Sequence, residues 1–228
     1  LCDSLCVVVA RLINEMKLSD FEPADFELQI GGKEPEIKQF EIELSDGGKV
    51  ILSGQVDRVD VLKTESQTFV RVMDYKTGSK KFDLNDVMHG LNMQMLIYLF
   101  AIWQNGGKLY ENVTPAGILY FQAKPKRVSE DRYASDDVVE SKTKGAFKMS
   151  GMVLNNLDVL KAMERDLEGV YIPAGVDKKG NVTGNVISLE SLTNLKNKVN
   201  DLIKEMDVYK EGTNLYLANK DKSVLFFM

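Results

Sequence analysis

Between Glu36 and Lys76 the chain passes through successive β-type segments, and the last of them ends in the charged group Asp74-Tyr75-Lys76. Phe40, Ile42 and Leu44 alternate with charged residues, as in a strand with one wet face. Asp46-Gly47-Gly48 is a turn signal, and Val50 to Val61 resumes as a partner strand. A polar connection at Lys63 to Gln67 leads to a further strand from Thr68 to Tyr75, which completes a β-meander. The period then changes. Asn85 to Trp103 carries helical spacing, with Asn85 or Asp83 as N-cap and Asn105-Gly106-Gly107 as its stop. Ala116 to Gln122 returns as a nearly all-apolar strand suited to a sheet interior. This order predicts an α/β chain: a mixed central sheet flanked by helices.

The flanks are plainer. Leu5 to Leu18 reads as a helix, with Leu5, Val8, Val9, Leu12, Ile13 and Met16 at helical spacing. Phe26 to Ile30 is extended. Residues 123–149 lack periodicity and read as a long mobile loop, carrying Lys124, Lys126, Arg127, Lys142, Lys144 and Lys148. Leu154 to Glu168 and Leu189 to Tyr209 are amphipathic and read as helices, with a hairpin tip at Gly175 to Gly184 between them. We therefore expect a single domain over 1–228, with a core at about 21–122, the loop at about 123–149, and an accessory helical lobe at about 150–228.

Composition excludes several classes. The longest apolar run, Met95 to Trp103, is far short of the ~20 residues a membrane span needs. Two cysteines, Cys2 and Cys6, are too few for a disulfide framework, which favours a reducing cytoplasm. A net charge of −5 gives no global positive field, so any nucleic-acid surface is local or supplied by a larger polypeptide. A first residue of Leu1 rather than Met suggests such a larger protein.

The chemistry concentrates at the strand ends. Asp74 and Lys76 lie two positions apart, so both project from one face of a strand. If Asp57, on the neighbouring antiparallel strand, projects from that face, two carboxylates and an ammonium converge. Carboxylates are hard oxygen ligands suited to Mg²⁺, and the ammonium can orient water or offset charge on a phosphate. Phosphodiester hydrolysis needs these services. The competing reading is a set of surface salt bridges, but charges closing apolar strands are costly unless paired or metal-bound.

Gly54-Gln55-Val56-Asp57-Arg58-Val59-Asp60, then Asp74-Tyr75-Lys76-Thr77-Gly78, then Gln94-Met95-Leu96-Ile97-Tyr98, resemble in order and spacing the RecB-type branch of the PD-(D/E)XK nucleases. The likeness is closest to the C-terminal nuclease domain of the AddB family, the second component of AddAB helicase–nucleases. It extends through Gly90-Leu91-Asn92-Met93 and Gly117-Ile118-Leu119-Tyr120-Phe121. The resemblance implies a restriction-endonuclease-like core and Mg²⁺- or Mn²⁺-dependent DNA hydrolysis, in exonuclease mode, during double-strand-break processing and recombinational repair. It implies DNA, as an unwound single strand, and an AddA-like helicase–nuclease subunit as partners. Asp57 and Asp74 match the metal-binding carboxylates, the Tyr75 main-chain carbonyl a further ligand, and Lys76 the catalytic lysine. Gln94 and Tyr98 match the helix motif, facing the site and DNA or bonding the neighbouring strand. Glu27 matches an upstream acidic ligand loosely, while Arg58 and Asp60 are expected to support the fold as an ion pair.

There are departures. The family's usual upstream histidine is absent, since the single histidine, His89, follows the first Asp. Full-length AddB members hold an iron–sulfur cluster, but no C-terminal cysteines stand here. No Gly-rich ATP-binding loop occurs, so ATP hydrolysis must reside elsewhere. Two rivals remain open: a non-catalytic DNA-binding scaffold with the nuclease fold, and a stand-alone nuclease of the Cas4 or phage-exonuclease type.

Overall fold

The structure is a computed structural model. It describes residues 2–44, 48–78, 81–123 and 148–205, together with the strands Asp207–Glu211, Asn214–Ala218 and Val224–Leu225. The turn at Asp46-Gly47 and nearly all of the loop expected at 123–149 lie outside the described residues.

The chain begins with helix α1 (Cys2–Leu18), followed by β1 (Glu22–Ile30), β2 (Phe40–Glu43), β3 (Lys49–Leu52), β4 (Gly54–Lys63) and β5 (Thr68–Lys76). Helices α2 (Leu84–Met88), α3 (Gln94–Asn105) and α4 (Gly107–Tyr110) lead into β6 (Val113–Gln122) and β7 (Ser150–Leu154). Then come α5 (Leu157–Met163), the hairpin of β8 (Ala174–Val176) and β9 (Val182–Gly184), β10 (Val186–Ile187) and α6 (Leu189–Glu205). The last strands, β11 (Asp207–Glu211), β12 (Asn214–Ala218) and β13 (Val224–Leu225), pair among themselves.

Six strands form the central sheet in the order β1-β4-β5-β6-β7-β10. The β5–β6 and β7–β10 pairs are parallel and the others antiparallel, so the sheet is mixed as expected. The helical segment α2–α4 is the crossover that parallel pairing of β5 and β6 requires. β6 is apolar from Pro115 to Phe121, where it is buried on both faces: Ile118 and Tyr120 join the core under α3, while Leu119 and Phe121 join the core under α1 and α5. Helix α6 closes the first face with Leu192, Leu195, Val199 and Ile203. No described helix is long and apolar enough to cross a membrane.

Three differences from the sequence reading have physical causes. The segment 50–61 is not one strand. It divides at Ser53, where β3 pairs back onto β2 and β4 joins the sheet between β1 and β5. Ser53-Gly54-Gln55 interrupts the apolar pattern there, a turn signal that the strand reading passed over. The helix read from Asn85 is also two helices. Asp83 caps α2 through a 2.8 Å bond from the Asn85 N–H, and Gly90 (φ 78°) and Asn92 (φ 54°) then turn the chain before α3 begins at Gln94. Lastly, the helix expected from Leu154 is confined to Leu157–Met163, and the region beyond 150 also contributes strands β7 and β10 to the central sheet. The hairpin expected at Gly175 to Gly184 is present as β8–β9.

Candidate active site at the parting of two strands

β4 and β5 are paired from Lys63↔Thr68 up to Arg58↔Met73, and there their ladder ends. Beyond it β4 stays with β1 as far as Gly54, while Asp74, Tyr75 and Lys76 stay with Tyr120, Phe121 and Gln122 on β6. The two strands part, and the first residues past the parting are Asp57 and Asp74. Asp57 bridges the gap: its Oδ2 accepts the Tyr75 backbone N–H at 2.8 Å. A side-chain carboxylate thus takes the place of the carbonyl that continued pairing would have supplied.

Lys76, on the same strand face as Asp74, donates from Nζ to Asp74 Oδ1 at 2.8 Å and lies equally close to Oδ2. The Lys76 side chain is 32% exposed and that of Asp74 only 11%, so the ammonium roofs the carboxylate while still meeting solvent. Asp74 also acts on its neighbour: burial first, and then the Asp74 charge, hold the Tyr120 hydroxyl above its ordinary range, so it remains a neutral phenol.

The helix motif packs behind the parting. Gln94 Nε2 donates to the Tyr98 hydroxyl at 2.9 Å, as their spacing on one helix face allows. The tyrosine ring is buried against the start of β4. A Cβ placed on Gly54 would overlap its hydroxyl oxygen, so only glycine admits Tyr98 at that point. The structure therefore brings Gln94 and Tyr98 against the strand that carries Asp57.

Other candidates fall elsewhere. Glu27 lies on β1 between the pairs Phe26↔Arg58 and Leu28↔Val56, and so flanks Asp57 in register, with φ 54° and an exposed side chain. Among the described residues no group of three or more Asp, Glu, His or Cys side chains that could hold a metal ion is present. His89 is exposed and its Nδ1 pairs with the Asn85 carbonyl of its own helix at 2.8 Å. Cys6 is exposed and free.

One cluster escaped the sequence reading. On the opposite face of the sheet, under α1, Arg58, Asp60, Arg71 and Glu15 form a buried ionic network. Arg58 holds Asp60 through Nη2 at 2.7 Å, the pairing expected of those two residues. Arg71 reaches Asp60 Oδ2 at 2.9 Å and Glu15 Oε1 at 2.7 Å, and its guanidinium lies 5.0 Å from the Phe21 ring centroid. Burial alone would depress the Arg58 guanidinium, but its bonds and charge interaction with Asp60 outweigh this and raise it above its usual range. Arg58 also donates to the Tyr75 hydroxyl at 3.2 Å, which ties this network to the strand bearing Asp74 and Lys76. The signal was available: Arg71 is a lone charge inside the apolar run Phe69 to Met73.

Comparison with known proteins bears on this geometry. The family model for the PD-(D/E)XK nuclease superfamily matches residues 4–213. A protein of Acetivibrio thermocellus, named as the B component of an ATP-dependent helicase/deoxyribonuclease, is 36% identical over 210 residues, covering 87% of this chain and 18% of that protein. The protein of the same name in Caldanaerobacter subterraneus subsp. tengcongensis is 39% identical over 178 residues, 76% of this chain and 15% of its own length. That of Clostridium perfringens is 35% identical over 205 residues, 87% of this chain and 18% of its own. The chain thus spans less than a fifth of the length of these relatives.

Proposed function

Because the chain belongs to the PD-(D/E)XK nuclease superfamily, we propose that Asp57, Asp74 and Lys76 hydrolyse phosphodiester bonds of DNA. The observation that carries this reading is the parting of β4 and β5. It leaves two carboxylates and an ammonium at one end of a strand pair, partly open to solvent. Two carboxylates at one strand end, one of them bonded to a half-exposed lysine, give a set of oxygen donors that a divalent cation can take up.

The donor set fits such a cation. Asp57, Asp74 and the Tyr75 carbonyl are all oxygen ligands, without sulfur or imidazole, which suits Mg²⁺ or Mn²⁺. The lack of a group of three such side chains among the described residues is compatible with Mg²⁺, which binds through one or two carboxylates and keeps several waters. When bound, a cation of this kind polarises phosphate oxygens and lowers the pKa of water. The chain's own residues do the rest. Asp57, bonded to the Tyr75 N–H, holds its carboxylate at the parting. Lys76 has donor protons beyond those engaged by Asp74 and enough exposure to reach a substrate, so it orients the attacking water or neutralises charge gathering on the phosphate. Gln94 and Tyr98 act as positioning residues, setting α3 against β4.

The wider reading follows from the relatives' names: the chain is the nuclease portion of a helicase–nuclease component in the bacterial cytoplasm. It degrades one unwound strand as an exonuclease in double-strand-break repair, working with an AddA-like helicase–nuclease subunit. The test is digestion of end-labelled single-stranded DNA by the full-length protein. Cleavage is expected with Mg²⁺ or Mn²⁺, to stop with EDTA, and to vanish in Asp74→Asn. Equal cleavage by Asp74→Asn would refute the assignment, and release of internal fragments first would refute the exonuclease mode.

A further inference from the structure

A groove opens beside Asp74 on the β6 side. Strand register sets a row across the sheet, from Asp74 on β5 to Tyr120 on β6 to Ser150 on β7. Past this row lies a hollow of about 390 Å³ whose lining includes Lys81, Tyr120, Gln122, Lys148, Ser150 and Asn185. A second hollow of about 380 Å³ shares Phe82, Gly184 and Asn185 with it and continues toward Asp83 and Leu84. The walls are tied together. Ser150 Oγ accepts the Phe82 N–H at 2.6 Å, and Asn185 Nδ2 donates to the Gly151 carbonyl at 3.1 Å.

The charge of this groove is opposite to that of the chain. Lys81 and Lys148 are both exposed on its lining, and among the described residues neither is within ion-pair distance of a carboxylate. Lys148 is also placed: its Nζ lies across Gly169 (φ 71°), where a Cβ would meet it at 3.3 Å. Two ammonium groups on one concave wall, without an ion-pair partner among the described residues, form a local anion-attracting surface in a protein of net charge −5. The amides of Gln122 and Asn185 and the hydroxyl of Ser150 add neutral polar atoms without base-specific arrangement.

Resting on the nuclease reading above, we propose that this groove holds the phosphate backbone of single-stranded DNA on one side of the scissile bond, with Lys81 and Lys148 each meeting a phosphate. The row from Asp74 to Ser150 crosses two strand spacings, about 10 Å. That distance is of the order of a few nucleotides of an extended strand. The groove therefore engages the stretch next to the cleaved bond, by charge and not by sequence.

The test reads binding apart from cleavage. Affinity of the full-length protein for a single-stranded DNA oligonucleotide is measured in EDTA over a range of salt concentrations. Each lysine that meets a phosphate contributes about 0.7 to the slope of log affinity against log salt, so Lys81→Gln/Lys148→Gln should lower the slope by about 1.4. Lys63→Gln/Lys108→Gln removes equal charge from Lys63 at the far end of β4 and Lys108 in α4, and should leave the slope unchanged. An unchanged slope in the groove variant, or an equal fall in the far variant, overturns the proposal. Separately, wild-type hydrolysis of bis(para-nitrophenyl) phosphate with Mn²⁺ reports on the catalytic centre alone. Failure there with the slope change intact counts against the nuclease reading and not against the groove.

Discussion

Two charged clusters flank the same strands and are built oppositely. Under α1, Glu15 and Asp60 face Arg58 and Arg71: two charges of each sign, each residue no more than 2% exposed, tied by bonds of 2.5 to 2.9 Å. At the parting of β4 and β5, Asp74 pairs with Lys76, whose side chain is 32% exposed, and Asp57 accepts the Tyr75 N–H. The first cluster is sealed from solvent, and the second is open to it. Residues adjacent in sequence belong to different clusters, since Asp57 serves one and Arg58 the other. Charge alone therefore does not separate the two clusters; access to solvent at a strand end does.

The contrast breaks most visibly if the closed cluster is opened. Arg71→Ala leaves Glu15 and Asp60 buried with one guanidinium between them, and a broken buried pair costs about 3–5 kcal/mol. Urea unfolding should show that loss, and a change under about 1 kcal/mol would mean the network is not what fastens α1.

Lys76→Ala should leave the fold standing and lower turnover by about 10²–10³-fold, the usual loss when one stabilising donor is removed. Metal and DNA binding should persist, whereas Asp74→Ala should lose both metal binding and cleavage. Calorimetric Mn²⁺ titration beside steady-state kinetics separates the two. Near-normal turnover in Lys76→Ala would remove Lys76 from the catalytic set.

Gly54→Ala places a methyl where the Tyr98 hydroxyl stands, and overpacking of this kind costs about 1–3 kcal/mol. Its sharper consequence is catalytic. Displacing Tyr98 shifts the start of β4, so kcat should fall further than KM rises. Gly54→Ala/Tyr98→Phe, which removes the clashing oxygen, should recover part of it.

The smallest effect tests the link between the clusters. Tyr75→Phe removes the acceptor of Arg58 Nη1 but leaves Asp60 in place, and should cost about 1 kcal/mol. Cleavage should hold, because the Tyr75 N–H and carbonyl are untouched. A large drop in cleavage would show that the closed cluster governs the open one.

Much of this was legible from local patterns. The two-residue spacing of Asp74 and Lys76 placed them on one face because side chains alternate along a strand, and their ion pair follows from it. The nearly all-apolar run at 116–122 announced a strand covered on both sides. Less visible were features decided by distant partners. The division at Ser53 depends on which strands β3 and β4 pair with, and the turn at Gly90 to Asn92 depends on backbone angles that the helical spacing of their neighbours conceals. The Lys81–Lys148 groove draws its walls from segments as far apart as 81 and 185.

By itself the sequence determined that Asp57, Asp74 and Lys76 close apolar strands, while Gln94 and Tyr98 entered through the resemblance of their helix motif. That information is local, carried by periods of two in strands and 3.6 in helices. Which charges would be closed and which left open was decided only by the tertiary structure. Alternation sends Asp57 and Arg58 to different sides, but nothing in the motif says that α1 will cover Arg58 with Glu15, or that β5 will leave β4 at Arg58↔Met73. Both depend on contacts between segments far apart in the chain, because desolvation and strand pairing are properties of the partner that arrives.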